Sequence, residues 1–449
     1  MAIRNALPIS LFLTLFITNY LVKKAHLLPS AFIWLPELVI AIVAAVVISR
    51  VIANHNFKIP LKYILIFLGF VYVVITGIVL NVISSYTVIS GIRTYFKYVP
   101  LFLLPLVYNY SEADIRKQFF VILLLGLMQL PVTLWQRFIE FRHLFTGDVI
   151  TGTLGISNSL SIILICIILA LITLYLKKIL SLKIVFITSF LIFIPTTLNE
   201  TKITPIFLAI GISALLFSLR KELSPKLIAF ISISAVILLI GFGLVYDKLY
   251  KKDDGAGISE LMTSEDRMLG NYNFTGFKAD PNAVFKLENK FAGEFRNLPT
   301  LENALGRIDS FQIPIDVFIK HDVIKLFFGL GIGNITSKVG PGGAYLHVEA
   351  IGGSGTTLSQ LIWETGVLGA LLFVVFIIFI ARDSYVLAKN NNYWGTIAIA
   401  WFAITMVILS SVGYNTIFHF DEIACLFIYF SGLIVFKRYQ QNGIQQYNM

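Results

Sequence analysis

Residues 306–369 decide how this chain is organised. They begin GRIDSFQIPIDVFIKHDVIKLFFGLGIGN at 306–334 and end TLSQLIWETGVLG at 357–369. The stretch combines a polar segment, a lone arginine, repeated glycines and the start of an apolar run. One apolar run after another precedes it, and two more follow it. We therefore interpret this stretch as the polar part of a protein whose remainder is membrane scaffold.

The composition predicts the class of the protein. Of its 449 residues, 57% are hydrophobic and only 13% are charged, whereas a soluble domain carries roughly 25% charged residues. Many apolar runs reach about 20 residues, the length that crosses a bilayer as a helix. A transmembrane barrel would show short alternating segments instead. We expect an all-α polytopic membrane protein.

The apolar runs predict about twelve transmembrane helices, nine within residues 1–246 and three within 357–449. The predicted spans are 8–22, 31–49, 62–83, 95–109, 118–136, 155–176, 182–198, 203–219, 227–246, 357–380, 394–412 and 417–436. Residues 247–356 form one large loop domain. Its second half has a helical pattern, because Ile313, Val317, Ile324 and Phe328 recur near helical spacing, and glycines follow it.

The distribution of basic residues predicts the orientation. With the N-terminus inside, about 16 Lys and Arg lie in inner segments and about 7 in short outer ones, which is the usual bias of a membrane protein. Both termini are then cytoplasmic and the large loop is external. The formal charge of +10 follows from this bias and does not indicate nucleic-acid binding. Cys166 and Cys425 lie in apolar runs and predict neither a disulfide nor a metal site.

Short motifs in three parts of the chain suggest a family. TGTLGISNSL at 151–160 enters a span after glycines, and LNETKIT at 198–204 is a short outer turn with a basic residue. The third part consists of Gly306-Arg307, GLGIGN at 329–334 and QLIWETGVLGALLF at 360–373. In this order, with this span count and one large loop, the chain resembles the O-antigen polymerase and ligase family of membrane glycosyltransferases.

The resemblance implies a polymerase of surface polysaccharide such as O-antigen, capsule or exopolysaccharide. Its substrate would be an oligosaccharide repeat on polyprenyl (undecaprenyl) pyrophosphate, joined on the outer face of the bacterial inner (cytoplasmic) membrane without metal or other cofactor. Implied partners are membrane lipids, a flippase and a chain-length regulator. Two positions depart from the family pattern. Lys202 stands where the family usually has arginine, and no histidine stands near Gly355, where ligases of the family place one.

The implied reaction needs positive charge, because negative charge develops on the leaving pyrophosphate. Five basic residues of the predicted outer face are candidates for this site: Arg307, Lys202, Arg137, Arg142 and Arg93. Four of them also have an ordinary interpretation. Arg307 can pair with Asp309 in an exposed loop, Lys202 can extend to the membrane surface, and Arg137 and Arg142 can anchor a span at the interface.

The reaction also needs a base for the attacking hydroxyl and an apolar groove for the lipid. Glu364 begins a span and lies four residues after Gln360 on the same helix face. His347 lies in the glycine-rich segment and is the second candidate. The structural alternative for Glu364 is that it orders the loop through hydrogen bonds. The outer loops contain no Asp-x-Asp sequence, which favours a metal-independent reaction.

Two other functions stay open. Ligation of the glycan to a lipid or protein acceptor is one, with His347 as a displaced histidine. A flippase or polysaccharide exporter is the other, since many transporters have twelve spans. A transporter is expected to carry ionisable or helix-breaking residues near the middle of the membrane. The charges of this chain instead gather at the ends of its apolar runs, which favours the enzyme.

Overall fold

A computed structural model describes most of the chain outside the large loop. The described residues are 2–53, 59–143, 149–199, 201, 203–226, several positions between 229 and 241, most of 312–334, 356–419 and 421–447. Their regular structure is helical throughout, and no strand occurs among them. The greater part of the predicted loop, 247–356, and of the predicted span 227–246 lies outside these residues.

We number the α-helices of the described residues α1 to α14. They are α1 (Ala2–Lys23), α2 (Leu35–Ala53), α3 (Leu61–Asn81), α4 (Ser85–Phe96), α5 (Val99–Val107), α6 (Glu112–Leu127), α7 (Gln129–Trp135), α8 (Ser157–Leu176), α9 (Leu182–Leu198), α10 (Thr204–Leu219), α11 (Val323–Phe328), α12 (Thr357–Leu387), α13 (Tyr393–Ser411) and α14 (Asp421–Tyr447). Short 3-10 helices cover Ser30–Trp34 and Ile417–His419, and a π-helical turn covers Gln136–Glu140.

Seven of the described helical segments are long and apolar enough to cross a membrane. They are Arg4–Lys23, Ser30–Ala53, Leu61–Asn81, Glu112–Glu140, Ser157–Leu176, Thr357–Leu387 and Tyr393–Ser411. Leu182–Leu198 and Thr204–Leu219 are shorter apolar helices. These helices confirm the prediction of an α-helical, multi-pass membrane protein. The predicted count of twelve spans is not confirmed.

The predicted fourth span, 95–109, differs most from the structure. The helix breaks between Phe96 and Val99, and the following helix, α5, has only nine residues. Nine residues extend about 14 Å, which is less than half of a bilayer core. Pro100 lies in the first turn of α5, where its missing N–H does no harm. The predicted span extends through Lys97 and Pro100 and so misses this change of helix.

The core lies around α8 and α13. In the most apolar 18-residue stretch of each of these helices, 78% is buried inside the protein. In the corresponding stretch of α3 the buried share is 22%. Helix α12 packs against α3, α11, α13 and α14. It therefore joins the central helices to the peripheral ones, and the site described below is built on it.

Two carboxylates of α12, Glu364 and Asp383, are completely buried. They are 383 − 364 = 19 positions apart, which is at most about 28 Å along a helix and close to the roughly 30 Å of a bilayer core. We call the end of the bundle with Glu364, Lys97 and Asp421 the Glu364 end. The end with Asp383, Lys62 and Arg438 is the Asp383 end.

Candidate functional site

The first turn of α12 is fastened to the loop between α13 and α14. The Thr356 hydroxyl accepts a hydrogen bond from the Ser359 N–H at 3.0 Å and caps the helix. The Thr357 hydroxyl donates to the Asn415 carbonyl at 2.6 Å and accepts from the Ile417 N–H at 2.6 Å. These bonds satisfy backbone groups that a buried helix start would otherwise leave without partners. They hold the segment before Glu364 in place.

Gly366 breaks α12 two residues after Glu364. Its φ of +66° and ψ of −175° lie outside the helical region, in a conformation that glycine adopts readily. At this break the carbonyls of Trp363 and Glu364 accept hydrogen bonds from the N–H groups of Leu330 (2.7 Å) and Gly331 (2.9 Å). The break therefore joins the 329–334 loop to the backbone that carries Glu364.

Glycines let the 329–334 loop approach the neighbouring helices closely. Gly329 ends α11 at a φ of +70°, as the glycine pattern predicts. A Cβ added to Gly91 of α4 would stand 2.6 Å from the backbone nitrogen of Gly333. A Cβ on Gly77 of α3 would stand 2.8 Å from the carbonyl oxygen of Phe328. Both distances are shorter than any ordinary contact, so this backbone-to-backbone packing requires glycine.

The Glu364 carboxyl is completely buried next to Tyr95 of α4. The Tyr95 hydroxyl donates a hydrogen bond to Glu364 Oε2 at 2.7 Å, and this is not the only interaction of Glu364. The Tyr95 ring packs on Phe418 with centroids 5.0 Å apart. A buried carboxyl group needs hydrogen bonds or counter-charge. Sequence reasoning identified Glu364 but missed Tyr95, since nothing in the sequence relates position 95 to position 364.

A row of charges lies at the same end, across α2, α4, the break after α4 and the start of α14. Arg93 forms a two-pronged ion pair with Glu37, and its guanidinium lies 4.5 Å from the centroid of the Trp34 ring. Lys97 lies 3.6 Å from Glu37 and 2.7 Å from Asp421. The Arg93 side chain is half exposed. The predicted pyrophosphate ligand Arg93 is thus at the Glu364 end, with a carboxylate already bound to it.

The other predicted site residues are less fully described. Arg137 lies in the π-helical turn, partly buried and with interaction partners. Arg142 follows this turn and is exposed. Arg307, Lys202 and His347 lie outside the described residues, and their predicted roles stay predictions.

Two of the three motif segments contact each other. The Asn199 amide donates to the Ser157 carbonyl at 2.9 Å and to the Ser161 hydroxyl at 2.7 Å, which links the 198–204 turn to the 151–160 segment. Gln136 holds the latter segment in turn, because its Oε1 accepts from the Gly152 N–H at 2.9 Å. These polar contacts give both segments a structural role that the sequence alone did not reveal.

An aromatic cleft of about 440 Å³ lies between α3, α5, α12 and α14. Its lining is almost entirely apolar and includes Phe70, Phe373 and Phe376. Tyr95, the partner of Glu364, lines one part of it, and Tyr63, a partner of Asp383, lines another. The cleft therefore extends from one buried carboxylate towards the other. We expect an apolar groove between spans from the sequence, and this cleft is the candidate for it.

No three His, Cys, Asp or Glu side chains come together among the described residues. Comparison with known proteins adds no assignment. No family model matches the chain, and no curated protein matches it significantly. The resemblance to the O-antigen polymerase and ligase family consequently rests on the motifs alone.

Proposed function

We propose that this protein is a polymerase of surface polysaccharide, which joins oligosaccharide repeats carried on polyprenyl pyrophosphate. The observation that carries the proposal is the buried Glu364–Tyr95 pair beside the aromatic cleft. An isoprenoid chain needs an apolar groove of this kind. A lipid in the cleft with its head group towards Tyr95 would present the sugar–pyrophosphate bond near the carboxyl group of Glu364.

In this proposal Glu364 is the general base. A hydroxyl oxygen of the acceptor sugar attacks the anomeric carbon of the donor, the bond from that carbon to the pyrophosphate oxygen breaks, and the hydroxyl proton passes to Glu364. Tyr95 holds the carboxyl group in position. His347, from the glycine-rich segment, is the other candidate base. Pyrophosphate leaves on its lipid with its negative charge balanced by protein cations.

Five predicted basic residues would supply these cations in place of a metal ion: Arg307, Lys202, Arg93, Arg137 and Arg142. Among the described residues of this set, Arg93 lies in the charged row of the Glu364 end. Since Glu37 occupies its guanidinium, pyrophosphate would have to displace that carboxylate. Arginine suits this exchange because its planar group binds carboxylate and phosphate oxygens in the same two-pronged manner.

The orientation belongs to the proposal as well. The count of basic residues supports an orientation with both termini and the Asp383 end in the cytoplasm, and with the Glu364 end and the 247–356 loop outside. We propose the bacterial cytoplasmic membrane as the location. Substrate would then come from a flippase, and a chain-length regulator would act on the same outer face.

A transporter is the second candidate, and one observation favours it. A helix broken beside a buried carboxylate, as at Gly366 and Glu364, resembles the broken helices of transporters. Transporter sites lie near the middle of the membrane. From Gly366 to Leu387 the remainder of α12 is long enough, at about 32 Å, to cross the bilayer core alone. This length puts the break near a boundary and favours the enzyme.

An assay in vitro separates these functions. Purified protein is mixed with the lipid-pyrophosphate-linked repeat, and the glycans are resolved by gel. We expect a ladder of lengthening glycans that persists with a metal chelator and is lost in Arg307→Ala. A loss of the ladder that divalent cations restore would contradict the metal-independent step.

Other products of the same assay identify the alternatives. Transfer of one glycan to a second acceptor identifies a ligase. Substrate that crosses a vesicle membrane without any bond being formed identifies a transporter. Glu112→Gln is the control, because the Glu112 side chain is half exposed and forms a local ion pair with Arg116 on α6. A normal ladder in Arg307→Ala would exclude Arg307 from the site.

A further inference from the structure

Four glutamine side chains are fully buried among the described residues. They are Gln118, Gln129, Gln136 and Gln360, each at most 1% exposed. A buried amide destabilises a protein unless its oxygen and nitrogen both find hydrogen-bond partners. The partners of these four side chains therefore indicate what each glutamine does.

Three of the four have partners that explain their burial. Gln118 Nε2 donates to Asn5 Oδ1 at 3.0 Å, and its Oε1 accepts from the Tyr429 hydroxyl at 2.8 Å. Gln129 accepts from the Thr153 N–H and donates to the Thr153 hydroxyl and the Leu125 carbonyl. Gln136 accepts from the Gly152 N–H and donates to the Gly152 carbonyl. These three glutamines hold helices and a turn together.

Gln360 is the exception. Among the described residues, neither its Oε1 nor its Nε2 makes a hydrogen bond of ordinary geometry, although the side chain is completely buried. It lies one turn before Glu364 on the same face of α12, and its amide is near enough to the Tyr95 hydroxyl to interact with it. Trp363, also completely buried, has no partner for its indole N–H among the described residues. Unused donors and an unused acceptor thus accompany the Glu364–Tyr95 pair.

We propose that Gln360 and Trp363 bind hydroxyl groups of a substrate sugar. An amide offers one acceptor and a donor group, an indole offers one donor, and a sugar hydroxyl both donates and accepts. A sugar held by these two side chains would lie beside the carboxyl group of Glu364. This inference rests on the proposed function and adds the residues that recognise the sugar rather than the lipid.

The first test needs no activity. Gln360→Met replaces an unpaired buried amide by an apolar side chain of similar length, so we expect a higher Tm in detergent. Gln118→Met is the matched control, and we expect it to lower the Tm because Asn5 and Tyr429 lose their partner. If Gln360→Met lowers the Tm as Gln118→Met does, Gln360 is structural and the inference is wrong.

The second test measures binding with two probes, the lipid-pyrophosphate-linked repeat and the same polyprenyl pyrophosphate without sugar. In wild type both probes should raise the Tm. In Gln360→Met the rise caused by the sugar-free lipid should be unchanged, and the rise caused by the repeat should be smaller. Equal rises with the repeat in both proteins, or a loss with the sugar-free lipid too, would overturn the assignment.

The kinetic test separates this inference from the proposed function. We expect Gln360→Met to raise the KM for the repeat about threefold to tenfold, as the loss of one neutral hydrogen bond predicts. An unchanged KM contradicts the inference while the ladder itself supports the polymerase. A wild-type protein that makes no ladder overturns the polymerase. The repeat-dependent Tm shift, lost or kept in Gln360→Met, then still decides whether Gln360 binds the sugar.

Discussion

Glu364 and Asp383 lie on one helix and are equally buried, but their surroundings differ. Asp383 accepts hydrogen bonds from Lys62 at 2.6 Å, from the Tyr63 hydroxyl at 2.8 Å and from Arg438. Two cations from α3 and α14 thus surround one carboxylate. At the other end, Glu364 accepts from the Tyr95 hydroxyl, and its backbone carbonyl accepts from Gly331.

The difference shows how one helix serves two purposes. The ion pairs of Asp383 join α3, α12 and α14, and removing one member would leave buried charge without a partner. Among the described residues, the neighbourhood of Glu364 includes glycine backbone, the Tyr95 hydroxyl and the Gln360 amide, and Glu364 has a further interaction as well. The Gln360 amide leaves polar groups for a ligand at this end. We interpret the Asp383 end as structural and the Glu364 end as functional.

The largest expected effect is on catalysis at the Glu364 end. Glu364→Gln keeps an oxygen for the Tyr95 hydroxyl but cannot take up a proton. General acid–base catalysis typically contributes 10²–10⁴-fold, so we expect the polymerisation rate to fall by roughly that factor while the Tm stays near that of wild type. A variant that unfolds instead would show that Glu364 is structural, as Asp383 is.

The largest expected effect on stability is at the Asp383 end. Asp383→Ala leaves the charges of Lys62 and Arg438 without their carboxylate, and such a loss costs about 3–5 kcal/mol. Thermal unfolding in detergent measures it, with Glu112→Ala as the exposed control. A Tm equal to that of the control would show that this cluster does not hold the helices together.

Close packing at the Glu364 end predicts a smaller effect. Gly91→Ala places a Cβ against the backbone of Ile332 and Gly333, and overpacking of this kind costs about 1–3 kcal/mol. We expect a lower Tm and lower activity, because the 329–334 loop must shift away from α12. Gly413→Ala is the control, since no atom lies within 4 Å of the added Cβ. Equal behaviour of the two variants would contradict the packing described above.

Two tyrosines allow a matched comparison of the carboxylates. Tyr95→Phe removes a hydrogen bond to Glu364, and we expect activity to fall about tenfold to a hundredfold, since bonds to charged groups contribute about 1.5–3 kcal/mol. Tyr63→Phe removes the equivalent bond to Asp383 but keeps the ring that lines the cleft, and Asp383 keeps Lys62 and Arg438, so activity should fall less than in Tyr95→Phe. Rates of ladder formation measure both. If Tyr63→Phe lowers the rate as much, the two ends do not differ in the way proposed.

The smallest expected effect concerns the charged row. Glu37→Gln breaks a pair whose arginine is half exposed, and pairs of this kind contribute about 0–1 kcal/mol. The Tm should change little. If Arg93 binds pyrophosphate, Glu37→Gln should lower the KM for the repeat, because no carboxylate competes with the substrate. A raised KM would indicate that Glu37 orients Arg93 for binding.

The sequence by itself determined the class of the protein and part of the site. Long apolar runs with few charges are enough to predict membrane helices, because the bilayer demands length and hydrophobicity that composition reveals directly. Glu364 was identifiable because it starts such a run after a glycine-rich segment. The end of α11 at Gly329 was predictable too, since glycine is the common residue where a helix stops.

Only the tertiary structure decided how these parts meet. Hydrophobicity does not show where one helix ends and another begins, so the break between α4 and α5 was not predicted. The partners of Asp383 were not predicted either, because they come from distant parts of the chain. Tyr95 and Glu364 are 269 positions apart and meet because Gly77 and Gly91 let the 329–334 loop enter between the helices. The unpaired amide of Gln360 is visible only in three dimensions, because it depends on which groups surround a side chain and not on which residue it is.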